Sequence, residues 1–365
     1  MRLCIIYCLV VIAGISPLYG QVPAGKFIPF NNKSISYMGR VGITDSCTEI
    51  YWTGTSVTLN VRSTGTVKAL LSDEKGNNYY YVIVDGNGDS AVKIKVHKEK
   101  QLYTLASHLD AGRHRIELFK VTNTDFITTR FYGFETDATA KLIKAPKKPA
   151  KKIEFFGNSI TCGHGAENES HDSGEPQFFN NYRAYGAITA RHFNAQYHCT
   201  AKSGIGITVS WFREVMADIY DRLNPGDSTS KWNFSDYVPD IVVVNLLQND
   251  SWLTNMPAHP QFKARFDSTK PSEEFVINAY KHFIQSLRIK YPTAQIICCL
   301  GSMDATREGS KWPGYINEAV ARLQDLKITT HFFAFKNTPG HPVIAEQAAM
   351  ANDLINFIEN KKYWR

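Results

Sequence analysis

Cysteine is scarce in this sequence of 365 residues, which contains only seven. Cys4 and Cys8 lie in the first twenty residues, and the remaining five are odd in number and widely spaced, which argues against a disulfide scaffold. No Cys-x-x-Cys pair occurs, so we expect no cysteine-bound metal. The adjacent Cys298 and Cys299 lie in an apolar run, which predicts buried free thiols.

Long hydrophobic runs are also missing after residue 20, so we expect no membrane insertion. The first twenty residues carry Arg2, then an apolar stretch, then small and turn-forming residues. This order is typical of a secretory signal peptide that is cleaved, here near Gly20. The sequence therefore predicts a secreted or periplasmic protein.

Positive charge is concentrated in one segment of the chain. The net charge is +7, and the segment 141–152 (KLIKAPKKPAKK) is rich in lysine and contains two prolines. Such a segment can bind an acidic surface or nucleic acid, but it has no interleaved aromatic residues and lies where the pattern of the sequence changes. We interpret 141–152 as a linker between two domains and expect no nucleic-acid partner.

Before this linker, residues 21–140 are typical of short strands separated by turns. Segments such as SVTLNVRS and SAVKIKVH alternate polar and apolar residues, and STG, KGNN, GNGD and DAGR separate the apolar runs. This regularity predicts an antiparallel β-sandwich, jelly-roll-like, without helices.

After the linker, residues 153–365 alternate between predicted strands and helices. KIEFFGNS, AQYHCTAKS, PDIVVVNLLQND, AQIICCLGS and THFFAF are predicted strands. Helices are predicted over 181–193, 209–223, 272–291, 314–326 and 341–361, the third with Ser272 as N-cap and an apolar stripe of Phe275, Ala279, Phe283 and Leu287. The alternation predicts a three-layer α/β domain with a mostly parallel sheet, whose functional groups gather at the carboxyl ends of the strands.

Ser159 lies at such an end, in EFFGNSITCGHG directly after the first strand of this domain. A serine hydroxyl becomes an effective nucleophile only when a base takes its proton. His341, in the loop NTPGHPVIAEQ before the last helix, is the best candidate base because that loop faces the same sheet edge. Together these two residues indicate nucleophilic catalysis.

Two further loops at the same edge can supply donors to an oxyanion. Gly206 lies in KSGIGIT after the second strand, where the absence of a Cβ lets its backbone N–H approach a ligand. Asn249 lies in LLQND after the third strand and carries a side-chain amide. Backbone N–H groups and side-chain amides are the usual donors for the oxyanion of acyl transfer.

The four blocks Gly157-Asn158-Ser159-Ile160-Thr161, Gly206, Asn249 and His341, in this order, resemble those of SGNH (GDSL-type) hydrolases. With the preceding β-sandwich, the whole mature chain is similar to carbohydrate esterase family 2. The resemblance implies that Ser159 is the nucleophile and His341 its general base. It also implies an oxyanion hole formed by Ser159 N–H, Gly206 N–H and the Asn249 amide.

The same resemblance implies a metal-free and cofactor-free serine esterase. Its substrate would be an acetylated poly- or oligosaccharide, such as the hemicelluloses xylan or glucomannan, from which it would remove acetyl groups. An aromatic wall for a sugar ring could be provided by Trp252 and Trp312, although core packing explains both equally well. Trp211, inside the predicted helix 209–223, is expected to be core.

The sequence departs from the hydrolase pattern at three places. Asn158 replaces an aspartate, and Leu247 replaces a glycine, so we expect a different backbone path in the loop of Leu247. The positions before the histidine that commonly hold an aspartate are Thr338 and Pro339, which cannot orient an imidazole as a carboxylate does. We therefore hypothesise a Ser159–His341 dyad whose ring N–H is accepted by a backbone carbonyl or another side chain, with Asp250 as a minor candidate.

Other interpretations remain open from the sequence. His164 and His171 in HGAENESHDS could belong to a metal site, but a polar loop over the cleft is the simpler interpretation because no HExxH-type spacing occurs. The departures above also permit a catalytically impaired carbohydrate-binding protein in which the sandwich is the functional part. A third alternative is an SGNH esterase for a non-plant substrate such as a lipid or a sialic acid, although no apolar lid segment supports the lipid version.

Overall fold

The computed structural model describes residues 25–63, 65–123, 127–145, 147–170 and 172–364. The predicted signal peptide lies outside these residues. Among the helices in the described part of the chain, none has the length and apolar character to span a membrane. The five cysteines in it are free and buried, which confirms the prediction for Cys298 and Cys299.

The first domain is a β-sandwich of two six-stranded antiparallel sheets, as far as the described residues show. Its strands are β1 Lys26–Pro29, β2 Ile35–Met38, β3 Val41–Ile43, β4 Thr48–Ile50, β5 Ser56–Ser63, β6 Val67–Asp73, β7 Tyr79–Val84, β8 Val92–Lys95, β9 Gln101–Ala106, β10 Gly112–Lys120, β11 Thr129–Thr136 and β12 Lys141–Leu142. One sheet has the order β3-β4-β11-β6-β9 with β1 beside β11, and the other has β12-β5-β10-β7-β8 with β2 beside β5. Alternate residues of both sheets fill the core between them, which includes Val57, Leu59, Val61, Phe131 and Phe134.

The second domain is a three-layer α/β fold with a five-stranded parallel sheet, so the predicted fold class is confirmed for both halves. Its strands are β13 Lys152–Gly157, β14 Gln196–Ala201, β15 Ile241–Asn245, β16 Gln295–Leu300 and β17 Ile328–Phe332. Its helices are α1 Ser159–Cys162, α2 Tyr185–His192, α3 Met216–Ile219, α4 Gln248–Leu253, α5 Pro260–Phe266, α6 Glu273–Lys290, α7 Trp312–Ala321 and α8 Ile344–Lys361. Helices α6 and α7 cover one face of the sheet, and α2 and α8 cover the other.

The order of the parallel strands, β14-β13-β15-β16-β17, determines where a ligand can bind. β13 lies between β14 and β15. The chain therefore goes from β13 to its neighbour on one edge, β14, and then crosses back past β13 to β15, so the direction of strand order reverses at β13. A crevice forms at the carboxyl ends of the two strands beside such a reversal. Ser159 follows β13 and Asn249 follows β15, and both therefore lie at this crevice.

The predicted helix over 209–223 is wrong, because only Met216–Ile219 is helical. The backbone N–H groups of this region point elsewhere. Those of Thr208 and Val209 donate to the buried carboxylate of Asp250, and that of Trp211 donates to the carbonyl of Gly204. With these bonds made outside a helical ladder, the segment wraps around Asp250 as a loop.

Helix α6 begins after Ser272 as predicted, and the Ser272 hydroxyl accepts the Phe275 N–H at 3.1 Å. Its apolar face was predicted with a small error in rotation. Phe275 is 49% exposed, whereas Val276, Tyr280, Ile284 and Leu287 are buried together with Phe283. A stripe that starts one residue later therefore faces the sheet.

The two domains share their cores and are joined by a buried ion pair. Tyr51 and Trp52 of the sandwich belong to the apolar cluster on one face of the parallel sheet. Between the domains, the Arg40 guanidinium donates to Glu154 Oε1 on β13 at 2.9 Å, and the two side chains are 1% and 0% exposed. Tyr291 donates to the other carboxylate oxygen at 2.5 Å, so the Glu154 charge is bound on both sides.

Replacing Arg40 by methionine should destabilise the protein by about 3–5 kcal/mol, because Glu154 would keep a buried carboxylate without its cation. The free energy of unfolding in denaturant measures this loss. Lys68→Met is the matched control, since Lys68 pairs with Glu135 at the surface and exposed pairs contribute about 0–1 kcal/mol. Equal effects of the two substitutions would contradict a stabilising role for the Arg40–Glu154 pair.

Candidate active site

Ser159 is held at the start of α1 by tight local geometry. A Cβ placed on Gly157 would lie 2.0 Å from Thr161 Oγ1, so the turn after β13 requires glycine there. Asn158 caps the helix, since its Oδ1 accepts the Ile160 N–H at 3.0 Å. The cap therefore survives the change from the expected aspartate, while the Asn158 amide nitrogen is buried with no partner among the described residues.

Ser159, His341 and Asp172 form a hydrogen-bonded chain. The Ser159 Oγ lies 2.8 Å from His341 Nε2. On the far side of the ring, His341 Nδ1 lies 2.7 Å and 2.9 Å from the two carboxylate oxygens of Asp172. Because Nδ1 faces a carboxylate, it carries the ring proton, which leaves the lone pair of Nε2 for the serine hydroxyl. The hydrogen bond from His341 also holds the pKa of Asp172 below its usual value.

The orienting carboxylate is Asp172, a residue that sequence reasoning missed. Another side chain thus accepts the ring N–H, as the dyad hypothesis allowed. The three residues form a triad whose carboxylate comes from a loop 169 residues before the histidine. Asp250, the minor candidate, instead binds the backbone at residues 207–209. The only signal for Asp172 was its place in the polar segment HGAENESHDS, and such a segment does not reveal which carboxylate turns inward.

The loop that carries His341 is held by Lys336. The Lys336 ammonium is almost fully buried and lies 3.4 Å from Glu346 of α8. It donates to the carbonyl oxygens of Thr338 and Pro339, at 3.0 Å each. Thr338 and Pro339 therefore present main-chain oxygens to a cation and fix the loop just before the histidine.

His164 packs against His341. The sequence predicts an open polar loop here, and this prediction is wrong for His164. Its ring centroid lies 4.3 Å from that of His341 and 4.2 Å from that of Phe179. The Nδ1 atom lies 3.1 Å from Ser203 Oγ. Burial lowers the pKa of His164 to about 3, so a neutral ring supports the face of His341 at neutral pH.

The potential ligand atoms of His164, Asp172 and His341 lie within 4.8 Å of one another, a spacing that a metal ion could also use. However, both ring nitrogens of His341 are already hydrogen-bonded, one to Asp172 and one to Ser159. The arrangement therefore fits proton transfer from the serine better than metal binding. His171, the other candidate ligand, lies outside the described residues.

Of the three predicted oxyanion donors, Gly206 lies in a tightly packed loop and Asn249 lies in the first turn of α4. A Cβ on Gly206 would lie 2.1 Å from the carbonyl oxygen of Val209, and the Gly206 N–H donates to Ser210 Oγ at 2.9 Å. Asn249 Nδ2 donates to the carbonyl of Ile205 at 2.8 Å. Since an amide nitrogen carries two hydrogens, this contact orients the second N–H of Asn249 without consuming it.

Trp211 orients the same amide, and the prediction that it belongs to the core is wrong. The side chain is 42% exposed, and its indole N–H donates to Asn249 Oδ1 at 3.0 Å. With Oδ1 held by Trp211, the nitrogen of the Asn249 amide is directed away from the indole. This tryptophan acts through Asn249, and its place in a misassigned helix concealed that contact.

Leu247 shows how the block around Asn249 tolerates a missing glycine. Its φ is +82°, in the left-handed region that favours glycine. Such a conformation costs a non-glycine residue roughly 1–2 kcal/mol. The Leu247 side chain is fully buried in the core, which offsets this cost and keeps the glycine-like backbone path.

Trp252 and Trp312, the two candidate sugar-binding tryptophans, lie in different surroundings in the second domain. The Trp252 indole N–H donates to the carboxylate of Asp304 at 2.8 Å and 2.9 Å, one turn of α4 after Asn249. Trp312 packs on Tyr315 with ring centroids 5.3 Å apart. It lines a pocket with Lys270 that includes none of the three residues of the triad.

The loop that delivers Asp172 is tied to the β-sandwich through Glu167. Lys93 of β8 forms an ion pair with Glu167 and donates to the carbonyl oxygens of Gln177 and Phe179 at 2.8 Å and 3.0 Å. Tyr81 of β7 donates to the same carboxylate at 2.8 Å. The first domain therefore holds both ends of the loop segment on which Asp172 lies.

Comparison with known proteins agrees with this two-domain architecture. The family model for the carbohydrate esterase 2 N-terminal domain matches residues 37–146. A solved structure of a family two carbohydrate esterase from Clostridium thermocellum, in complex with cellohexaose, is 33% identical with a TM-score of 0.80, and the match covers 91% of this chain and 100% of that one. This chain belongs to carbohydrate esterase family 2. It is therefore placed among the carboxylic ester hydrolases.

Curated relatives of this esterase family also match over most of the chain. The cellulase/esterase CelE of Acetivibrio thermocellus is 34% identical over 351 residues, which cover 92% of this chain and 40% of CelE. The chain thus spans well under half the length of that relative. An acetylxylan esterase / glucomannan deacetylase of Cellvibrio japonicus is 23% identical, with 90% of this chain and 88% of the relative covered.

His164→Phe should make the stability of this family 2 esterase less sensitive to acid. The unfolded histidine has a pKa of about 6.5, and the folded one a pKa of about 3. Between these values the unfolded chain binds the extra proton, so stability present above pH 6.5 is lost as the pH falls. Phenylalanine binds no proton and should keep the ring contacts.

The measurement is the fall in melting temperature from about pH 7.5 to about pH 4.5. His282→Phe, a change on the exposed side of α6, is the control and should keep the wild-type fall. A His164→Phe variant with the full wild-type fall would contradict a neutral, buried His164.

Lys93→Met should lower kcat for ester hydrolysis by about 10- to 100-fold, because small displacements of groups that align a catalytic histidine have effects of this size. Hydrolysis of p-nitrophenyl acetate measures it. Lys95→Met on the same strand, whose ammonium lies over Tyr79 at 5.9 Å, is the matched control. Recovery of activity in Lys93→Arg would show that the loss comes from the missing cation and not from unfolding. A wild-type kcat in Lys93→Met would contradict a role of the Lys93–Glu167 pair in placing Asp172.

Proposed function

We propose that this chain is a serine esterase that removes acetyl groups from acetylated carbohydrate, such as the hemicelluloses xylan and glucomannan. The proposal depends on one observation, the hydrogen-bonded chain Ser159–His341–Asp172 at the carboxyl end of the parallel sheet. Family membership and the acetylxylan esterases among its relatives support acetyl esters of carbohydrate as the substrate class.

In the first half of the reaction, Ser159 Oγ attacks the acetyl carbonyl carbon while His341 Nε2 takes the hydroxyl proton. Asp172 stabilises the imidazolium that results. The tetrahedral intermediate then collapses, and His341 returns the proton to the departing sugar oxygen. In the second half, His341 deprotonates a water molecule, which attacks the carbonyl carbon of the acetyl-serine. The bond to Ser159 Oγ then breaks, His341 returns the proton to that oxygen, and acetate is released.

The negative oxygen of each tetrahedral intermediate needs donors, and we propose three. They are the backbone N–H of Ser159, the backbone N–H of Gly206 and the amide N–H of Asn249 that does not bind Ile205. The Gly206 N–H would exchange its contact with Ser210 Oγ for the oxyanion. Helices α1 and α4 hold the donors of Ser159 and Asn249 in place, so these two need little reorganisation, and a single oxyanion donor contributes about 10²–10³ in rate.

Two tryptophans of the second domain would bind the sugars of the substrate. Trp252 lies near Asn249 along α4 and would contact the sugar that carries the acetyl group. Trp312, in its separate pocket, would contact a more distant sugar.

The signal-like segment 1–20 supports secretion or export to the periplasm, where such polysaccharides are encountered.

A catalytically impaired binding protein is less well supported than an enzyme. The departures that favoured it have structural compensations: Asn158 keeps the helix cap, Leu247 keeps the left-handed backbone, and Asp172 takes the place of the aspartate missing at residues 338 and 339.

Ser159→Ala and His341→Ala should each abolish release of acetate from acetylated xylan and hydrolysis of p-nitrophenyl acetate. Asp172→Asn should fold normally and lose about 10³–10⁴ in kcat, because an amide does not hold the histidine tautomer. Asp45→Asn, at an exposed site in the sandwich, is the control and should be unchanged. Wild-type rates in Ser159→Ala would overturn the assignment of the nucleophile, and no activity in the wild type would overturn the proposed function.

A further inference from the structure

A second cavity lies at the junction of the two domains, with a volume of about 370 Å³. Ser36 and Phe119 line it from the sandwich, and Ala187 and Gln196 line it from the α/β domain. None of the triad residues is part of its wall. Nothing in the proposed reaction uses this cavity, although it is large enough for a sugar ring.

Aromatic rings form one side of the cavity. Phe119 and Tyr197 lie nearly parallel, with an interplanar angle of 12° and ring centroids 6.4 Å apart. Tyr182 packs edge-on against Phe119 at 5.2 Å. The three rings are buried, at 2–7% exposed, so they form a rigid apolar backing for the polar groups of the wall.

The Arg191 guanidinium is stacked on this aromatic wall, with its central carbon 3.8 Å from the centroid of the Tyr182 ring. Among the described residues no carboxylate lies within ion-pair distance of it. A stacked guanidinium is fixed in its plane, and its N–H groups form a fork that matches the two oxygens of a carboxylate. The wall therefore presents an oriented cation without a full counter-ion.

The remaining charges of the wall are also mostly positive. Arg115, Lys147 and Lys148 line the cavity with Arg191, and Glu117 is the one carboxylate in that wall of described residues. Glu117 is already bound by Arg115 at 2.9 Å. Four cations against one anion leave a formal excess of three positive charges. Lys147 and Lys148 belong to the basic segment 141–152, which the proposed function leaves without a role.

We propose that this cavity is a second saccharide site, which binds the carboxylate of an acidic sugar, a uronic acid, carried by the polysaccharide substrate. This proposal rests on the proposed function, because it concerns the same substrate. The Arg191 fork, held in its plane by Tyr182, would bind the carboxylate, and Lys147 and Lys148 would add positive charge around it.

The surface beside the cavity leaves room for the rest of the chain of sugars. An adjoining pocket shares Gly86 and Arg115 with the cavity and continues past Arg113 and Ile143. Its acidic residue, Asp85, is bound by His114 at 2.9 Å. A polysaccharide held here by its acidic side group would be retained near the enzyme while its acetyl groups pass the triad.

The test compares two probes, xylotriose that carries one glucuronic acid and unsubstituted xylotriose. Binding is measured by calorimetry on the full chain in the Ser159→Ala background, so that both probes meet the same inactive triad. We expect the acidic probe to bind about tenfold more tightly or better, since about 1.4 kcal/mol of added binding free energy suffices for that factor. The preference should shrink at high salt, which screens exposed charges.

Arg191→Gln should remove most of the preference for the acidic probe, and Arg191→Lys should keep part of it. Arg62→Gln, at an exposed position on β5 outside the cavity, is the matched control and should keep all of it. Equal binding of the two probes, or a preference that survives Arg191→Gln, would overturn the acidic-sugar site. Hydrolysis of p-nitrophenyl acetate by Arg191→Gln with Ser159 intact should equal the wild type, so failure of the site and failure of the esterase activity give different results.

Discussion

The buried pair of Arg40 and Glu154 connects the strand that precedes Ser159 to the β-sandwich. Glu154 lies in the middle of β13, the strand that ends at Ser159, and its carboxylate is fully enclosed. Arg40 reaches it from the sandwich and also donates to the carbonyl oxygens of Tyr220 and Arg222, at 2.7 Å and 2.9 Å. A buried charge is stable only when it is well paired. The buried carboxylate of Glu154 therefore requires the sandwich to be docked against β13.

The site is consequently a product of both domains, although the triad residues all belong to the second. Lys93 and Tyr81 of the sandwich bind the loop that carries Asp172. Asn123, also from the sandwich, accepts the N–H of Ser203 at 3.1 Å, and Ser203 contacts the His164 ring that supports His341. Both the hydrogen-bond partner and the packing face of His341 thus depend on the first domain.

Strands and residues that depend on contacts between sequence neighbours could be predicted from the sequence, and those that depend on contacts between distant residues could not. Strands such as β5 Ser56–Ser63 could be predicted because alternation along a few residues reports which side is buried. Ser159 and His341 could be found because a strand end and a helix start are local signals. Asp172 could not, since only the packing of a polar loop decides that its carboxylate meets the histidine.

The failed prediction of a helix over 209–223 has a related cause. That segment has an amphipathic pattern, but its backbone N–H groups bond outside a helical ladder. The Met216 N–H donates to the carbonyl of Gly206 at 2.9 Å, where a helix over 209–223 would pair it with the carbonyl of Phe212. The same error hid Trp211, whose contact with Asn249 arises only in the loop. The local pattern was misleading because backbone bonds to Gly204 and Gly206, which precede the predicted helix, hold the segment as a loop.

The buried thiols have a practical consequence for studies of this protein. Burial raises the pKa values of Cys162, Cys199, Cys298 and Cys299, and the thiolate is the form that reacts with alkylating reagents. Two of these residues lie in β16 and one in β14, the inner layer of the fold. Labelling of the three sheet cysteines thus requires an opening that exposes β14 or β16, and the labelling rate in native buffer measures how often such openings occur.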